Sequence, residues 1–185
     1  MNRTVCLACC LALPAAAAQV HEHGAATLEV AVDGGTITIA LESPLDTLVG
    51  FEHAPREEKQ RAALRKMEAS LRAGDRMFRP TAAAGCTAGE AKVEHPYAGG
   101  AAARTAHAHG ADGHKNGKHG HGKDEQHAGA HATWTFVCTS PQALRELEVL
   151  VFDAFPGVKR IRAQTATPRG QAAVTLTPSR RRLAL

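Results

Sequence analysis

Seven of the chain's eleven histidines, His107, His109, His114, His119, His121, His127 and His131, fall within 25 residues. Neutral imidazole is a good ligand for zinc, copper and nickel, and a mobile chain can fold three or four such nitrogens around a tetrahedral ion at about 2.0 Å. The segment also repeats itself. His107-Ala108-His109-Gly110-Ala111-Asp112 returns twelve residues later as His119-Gly120-His121-Gly122-Lys123-Asp124, so each copy offers two imidazoles and a carboxylate. Adding His114 or His127 completes a four-ligand site in either copy, room for about two ions with His131 spare. Gly110, Gly113, Gly117, Gly120, Gly122 and Gly129 let the backbone double back so that near neighbours reach one ion. Ordering so free a segment subtracts from binding, which predicts roughly micromolar affinity and poor discrimination among metals. The competing readings are a solvated linker and a proton-buffering or pH-sensing tract. Metal binding is the usual meaning of this composition.

A smaller cluster, His21-Glu22-His23-Gly24, repeats the His-x-His-Gly pattern just before an alternating stretch. Alternate residues of a strand share a face, so His21 and His23 could serve one ion, with His53 as a third ligand if the helix that follows it packs nearby. The competing reading is surface histidines. Cleavage after Ala18 would also put His21 third from a free amine, a square-planar donor set suited to Cu2+ or Ni2+.

The same residues argue against an enzyme. There is no His-Glu-x-x-His, the paired His-x-His-Gly-x-Asp lacks an Asp-His ending, and no nucleophile elbow or phosphate loop occurs. A catalytic zinc needs rigid ligands and a shaped cavity, which a glycine-rich segment does not supply. Nucleic acid is also disfavoured: the formal charge of +4 is spread along the chain, aromatic residues are few, and Arg180-Arg181-Arg182 reads as a solvated tail.

The elements that must position these ligands begin after an expected leader. Arg3, the apolar run Val5–Leu13 and Ala16-Ala17-Ala18 read as a signal peptide of residues 1–18, too short and too broken by Pro14 to anchor in a membrane. Cys9 and Cys10 do not fit a lipobox. Removing the leader leaves Cys86 and Cys138, for which a disulfide is the simple inference and two separate buried thiols the alternative. The bond would enclose the His-rich segment and stabilise by about 4 kcal/mol on the chain-entropy estimate. An exported chain of this kind is expected in the periplasm.

Residues 19–185 are enough for one modest domain. Leu28, Val30 and Val32, then Ile37, Ile39 and Leu41, alternate with polar or small neighbours around Asp33-Gly34-Gly35, predicting a hairpin. Pro44 and Gly50 mark a loop. Arg56 to Arg72 has helical spacing with Leu64, Met67 and Leu71 on one face, Pro55 in the first turn and Gly74 as C-terminal cap. Residues 99–132 carry nothing to bury and are expected to form a disordered insertion without ligand. Strands are expected again around Thr133–Cys138, Val158–Thr167 and Gln171–Thr177, with Pro141 opening a short helix and Leu147–Phe152 ambiguous. Without a βαβ rhythm, the expectation is an α+β fold with mostly antiparallel strands and one clear helix.

His21-Glu22-His23-Gly24, Gly50-Phe51-Glu52-His53-Ala54-Pro55, the cysteine-bracketed His-rich insert, Phe155-Pro156-Gly157 and Gly170-Gln171 together make the chain resemble the ZrgA-like family of zinc-regulated periplasmic zinc-binding proteins. The resemblance implies Zn2+ as the ion and a role in zinc acquisition or buffering, with an importer's zinc-binding protein as a partner. It carries the loop histidines, and His21, His23 and His53, over as ligands. Lys115, Lys118 and Lys123 depart from the family's pattern and are expected to weaken binding. The alternative function is a metal-sensing module whose loop orders on zinc to recruit a partner.

Overall fold

The computed structural model describes residues 22–98 and 128–185. The leader, His21, His107, His109, Asp112, His114, His119, His121, Asp124 and His127 lie outside those residues.

Period-two alternation produces two long strands, β1 (Ala25–Asp33) and β2 (Thr36–Pro44), joined through Gly34-Gly35. Ala26, Leu28 and Val30 of β1, and Ile37, Ile39 and Leu41 of β2, are buried on one face, while Glu29, Ala31, Thr38 and Glu42 point to solvent on the other. Gly34 supplies the positive φ of 54° that the turn needs. Gly35 meets a different requirement: a Cβ there would stand 2.9 Å from the carbonyl oxygen of Cys138, whose N–H donates to the Gly35 carbonyl at 2.7 Å.

The strand that carries Trp134 is longer than its composition promises. β6 spans Gly129–Cys138 and pairs antiparallel with β2 along its whole length, from Pro44 opposite Gly129 to Thr36 opposite Val137. Sequence pattern assigns residues up to 132 to the insertion. The structure places Gly129–Ala132 in the sheet, because Ala130 and Ala132 are small enough to bury against the core while the backbone is held between two neighbours.

Those neighbours are β4 (Cys86–Ala88) and β5 (Lys92–Glu94), which pair with successive stretches of β6. On the far side β1 is joined in parallel by β8 (Arg160–Thr167), and β8 antiparallel by β9 (Gly170–Leu176). The order of this seven-stranded sheet is β4-β6-β2-β1-β8-β9, with β5 also on β6. Cys86 and Cys138 face each other in register and are disulfide-bonded.

One face of the sheet is covered. Helix α2 (Glu58–Arg72) buries Leu64, Met67 and Leu71, the stripe expected from their spacing. Its start is closed by Gln60, whose side-chain oxygen accepts from the N–H groups of Arg56 and Glu57, so Pro55 stands ahead of the helix and not in its first turn. Gly74 does not cap α2 either. It opens a short helix, α3 (Gly74–Met77), and it must be glycine because a Cβ would approach Trp134 Cδ1 at 2.8 Å. Trp134 in turn donates its indole N–H to the Leu71 carbonyl at 2.6 Å and meets Phe78 edge to face at 4.8 Å. Thus the last turn of α2 is satisfied by a side chain from the sheet.

A second sheet, of three strands, joins the same core through Phe78, Leu147, Val149 and Leu183. Its strands are β3 (Phe78–Pro80), β7 (Glu146–Val149) and β10 (Arg182–Ala184). The ambiguous run therefore divides into β7 and a short helix, α4 (Val151–Ala154). The arginine run is not a free tail: Arg182 belongs to β10 and Arg181 pairs with Asp153 at 2.6 Å. The fold is α+β with mostly antiparallel strands and one long helix.

Candidate metal centre

Between β2 and α2 the segment marked by Pro44 and Gly50 is a single helical turn, α1 (Leu45–Val49), not a loop. Pro44 is extended ahead of it and Gly50 closes it at a φ of 85°, so the two punctuating residues are a start and a stop. Around this turn the chain gathers four separated pieces.

The first is the His-Glu-His-Gly turn. Gly24 donates its N–H to Thr47 Oγ1 at 3.1 Å, and its carbonyl accepts from Lys159 and Arg160 at 2.8 and 3.1 Å. This fixes His23 beside α1, where its Nδ1 is bonded to Asp46 Oδ2 while the ring stays 78% exposed. Asp46 also accepts from the Thr47 hydroxyl at 3.2 Å. An imidazole held through one nitrogen by a carboxylate leaves the other nitrogen turned outward, the arrangement that orients metal-binding histidines in many sites. Glu22 points elsewhere, to Arg160 and Arg162.

The second piece is the Phe-Pro-Gly turn. A Cβ on Gly157 would overlap the carbonyl oxygen of Thr47, so only glycine lets this turn lie against α1. The third is the segment after α1. His53 is exposed, its Nδ1 2.9 Å from the Ala54 carbonyl and its ring 5.4 Å from that of Phe51.

The fourth piece is the pair of strand ends from which residues 99–127 depart and to which they return. Glu94 of β5 lies opposite His131 of β6, so the two ends form a hairpin stem. On the outgoing side, the Tyr97 hydroxyl donates to the Glu52 carbonyl at 2.6 Å. On the returning side, the Leu45 N–H donates to the Ala128 carbonyl at 2.8 Å. Both ends are therefore tied to residues 45–52, the stretch that also carries Asp46 and leads into His53.

His95 sits within this stem with a fully buried side chain. The Tyr97 N–H donates to its Nδ1 at 3.2 Å, which places the ring proton on Nε2, donating to Glu68 Oε1 at 2.7 Å. Burial pushes the Glu68 carboxyl up, but the hydrogen bonds from His95 and Arg72, with the nearby Arg72 charge, outweigh it and hold the group below the usual carboxylate range. Both imidazole nitrogens of His95 are occupied, so it pins the stem to α2 and is no ligand. Desolvation, with the Glu52 charge, raises the Tyr97 phenol.

His131, the last of the seven clustered histidines, is on β6 and exposed, with Nδ1 3.8 Å from Glu94 Oε2. Among the described residues, no three His, Cys, Asp or Glu side chains converge as ligands around one point. His23, His53 and His131 are brought to one end of the fold by α1 and the stem, each with its own partner. Asp46, Glu42 and Glu94 escape a reading of the sequence because each lies far along the chain from the histidine that the fold sets beside or opposite it. The single available hint is that Glu42 and His131 fall at outward positions of alternating runs.

Among the described residues no helix is long and apolar enough to cross a membrane. No curated protein matches the chain. The model of the family described as ZrgA family zinc uptake protein matches residues 20–185. That match spans every piece gathered around α1, from the His-Glu-His-Gly turn through the hairpin stem to the Phe-Pro-Gly turn, and the chain belongs to the ZrgA family of zinc uptake proteins.

Proposed function

We propose that the chain is a periplasmic zinc-binding protein that gathers Zn2+ with the imidazoles of its His-rich insert and assists zinc acquisition, by buffering the ion or passing it to an importer's binding protein. His107, His109, His114, His119, His121 and His127, with Asp112 and Asp124, supply the first capture. His23 and His53 are the imidazoles to which a captured ion passes, and His21, two residues before His23, is a further ligand. The observation that carries this reading is the double tie of the stem to residues 45–52, through Tyr97 and Ala128, which puts the insert's two ends beside the turn that holds His23.

The periplasmic placement is supported by the leader pattern and by the Cys86–Cys138 bond, which persists in an oxidising compartment. Copper or nickel would suit an imidazole set as well by donor chemistry alone. Zinc is favoured by the family.

Ligand imidazoles must be neutral, so binding is present above the histidine pKa and is lost as pH falls through it. Isothermal calorimetry of the intact chain is expected to show zinc-dependent heat at about pH 7.5 and to lose nearly all of it by about pH 5.5. Absence of zinc-dependent heat at the higher pH would overturn the reading.

A further inference from the structure

The open face of the large sheet carries a row of ionisable side chains at the stem. Glu94 of β5 and Glu42 of β2 stand directly opposite His131 of β6, one on each side. All three are exposed on the face away from the core, because Leu41, Ser43, Ala130 and Ala132 take the buried positions between them. Directly opposed residues on neighbouring strands have Cβ atoms about 4.5–5.5 Å apart, within reach of one shared ion.

We propose that Glu42, His131 and Glu94 form a surface site for one divalent zinc-like ion, with an imidazole flanked by two carboxylates. This site deepens the zinc reading given above and is separable from it, since it needs none of residues 99–127.

Three observations carry the assignment. His131 Nδ1 and Glu94 Oε2 are 3.8 Å apart, too far for a hydrogen bond and close to the roughly 3.3 Å between two ligands of one tetrahedral zinc. Glu42 makes no ion pair among the described residues and stands exposed directly opposite His131. The backbone beneath His131 is paired on both sides, so the strands fix the three residues opposite one another, leaving only their side chains to be ordered by an ion.

One group opposes the ion. Lys92, two residues from Glu94 on the same face, pairs with its carboxylate at 2.9 Å. On the other flank Thr27 follows Glu42 and is neutral, with Arg162 beyond it already bonded to Glu22. Lys92 is therefore the competitor for Glu94. An incoming divalent ion displaces an ammonium from an exposed carboxylate, and removal of that ammonium should tighten binding.

The test is a ZnCl2 titration of the intact chain, followed by calorimetric stoichiometry and by the ring resonances of His131 in proton–carbon NMR. Glu42→Gln with Glu94→Gln is expected to lower the stoichiometry by one ion and to abolish the zinc-induced shift of the His131 resonances. Lys92→Gln is expected to tighten that same site by about three- to tenfold. Circular dichroism confirms that each variant is folded. Unchanged stoichiometry and unmoved His131 resonances, in a protein that still binds zinc elsewhere, would leave the row a cross-strand ion-pair ladder and overturn this site alone. Loss of thermal stability in the double variant without change in zinc binding would overturn it equally. A wild-type chain with no zinc heat at all overturns the broader reading as well.

Discussion

Gly74 and Trp134 show how closely single residues are specified where helix meets sheet. The indole N–H satisfies the Leu71 carbonyl, one of the otherwise unpaired acceptors at the end of α2, and its ring leaves no space for a Cβ on Gly74. Gly74→Ala is expected to destabilise by about 1–3 kcal/mol through overpacking. Trp134→Phe is expected to cost at least as much, because it strips a buried acceptor of its donor as well as removing ring contacts. Urea denaturation monitored by circular dichroism checks both, and a change within about 0.5 kcal/mol in either would contradict the packing described. The sequence marks imidazoles as candidate ligands, but not what touches them. His23 meets Asp46 across 23 residues and His131 meets Glu94 across a hairpin, and no spacing rule links such pairs.

His95, in the stem beyond β5, is hydrogen-bonded to Glu68 of helix α2. Because the folded pKa of Glu68 lies below its ordinary value of 4.5, ionised Glu68 contributes stability in full above about pH 4.5. That contribution is lost as pH falls through the lowered value. The midpoint of urea unfolding is expected to fall between about pH 5 and pH 3 in the wild type and to change less over that range in Glu68→Gln. Equal pH dependence in the two proteins would show that the contact does not couple stem to helix.

Elements with a clean period were legible in advance: the β1–β2 hairpin from its alternation, α2 from Leu64, Met67 and Leu71. Shorter elements were not. A single helical turn between Pro44 and Gly50 has no period to read. The first third of β6 is made of residues too small to announce a strand, and their burial follows from tertiary pairing on both sides. Arg182 enters β10 against the polarity of its neighbours, because Leu183 beside it is what the core takes.

The described residues form a sheet and helix scaffold whose hairpin stem leads into and out of residues 99–127. Fold class followed from the mixture of periods, while the strand order, including the parallel β1–β8 pair, rests on long-range contacts that composition does not encode. The topology bears on function through the stem. The strands that carry residues 99–127 converge at Glu94 and His131, and the disulfide closes the same hairpin farther down. A short glycine-serine turn in place of residues 99–127 should therefore leave the scaffold folded.

That replacement separates zinc held by the insert from zinc held by the scaffold. Zinc titration of the intact and the replaced chain, side by side at about pH 7.5, is expected to show that the replaced chain keeps its circular dichroism and thermal midpoint but loses most of its bound zinc. It should retain only the ions held by the fixed imidazoles of the scaffold. A replaced chain that binds as much zinc, as tightly, as the intact one would show that residues 99–127 are not what gathers the ion.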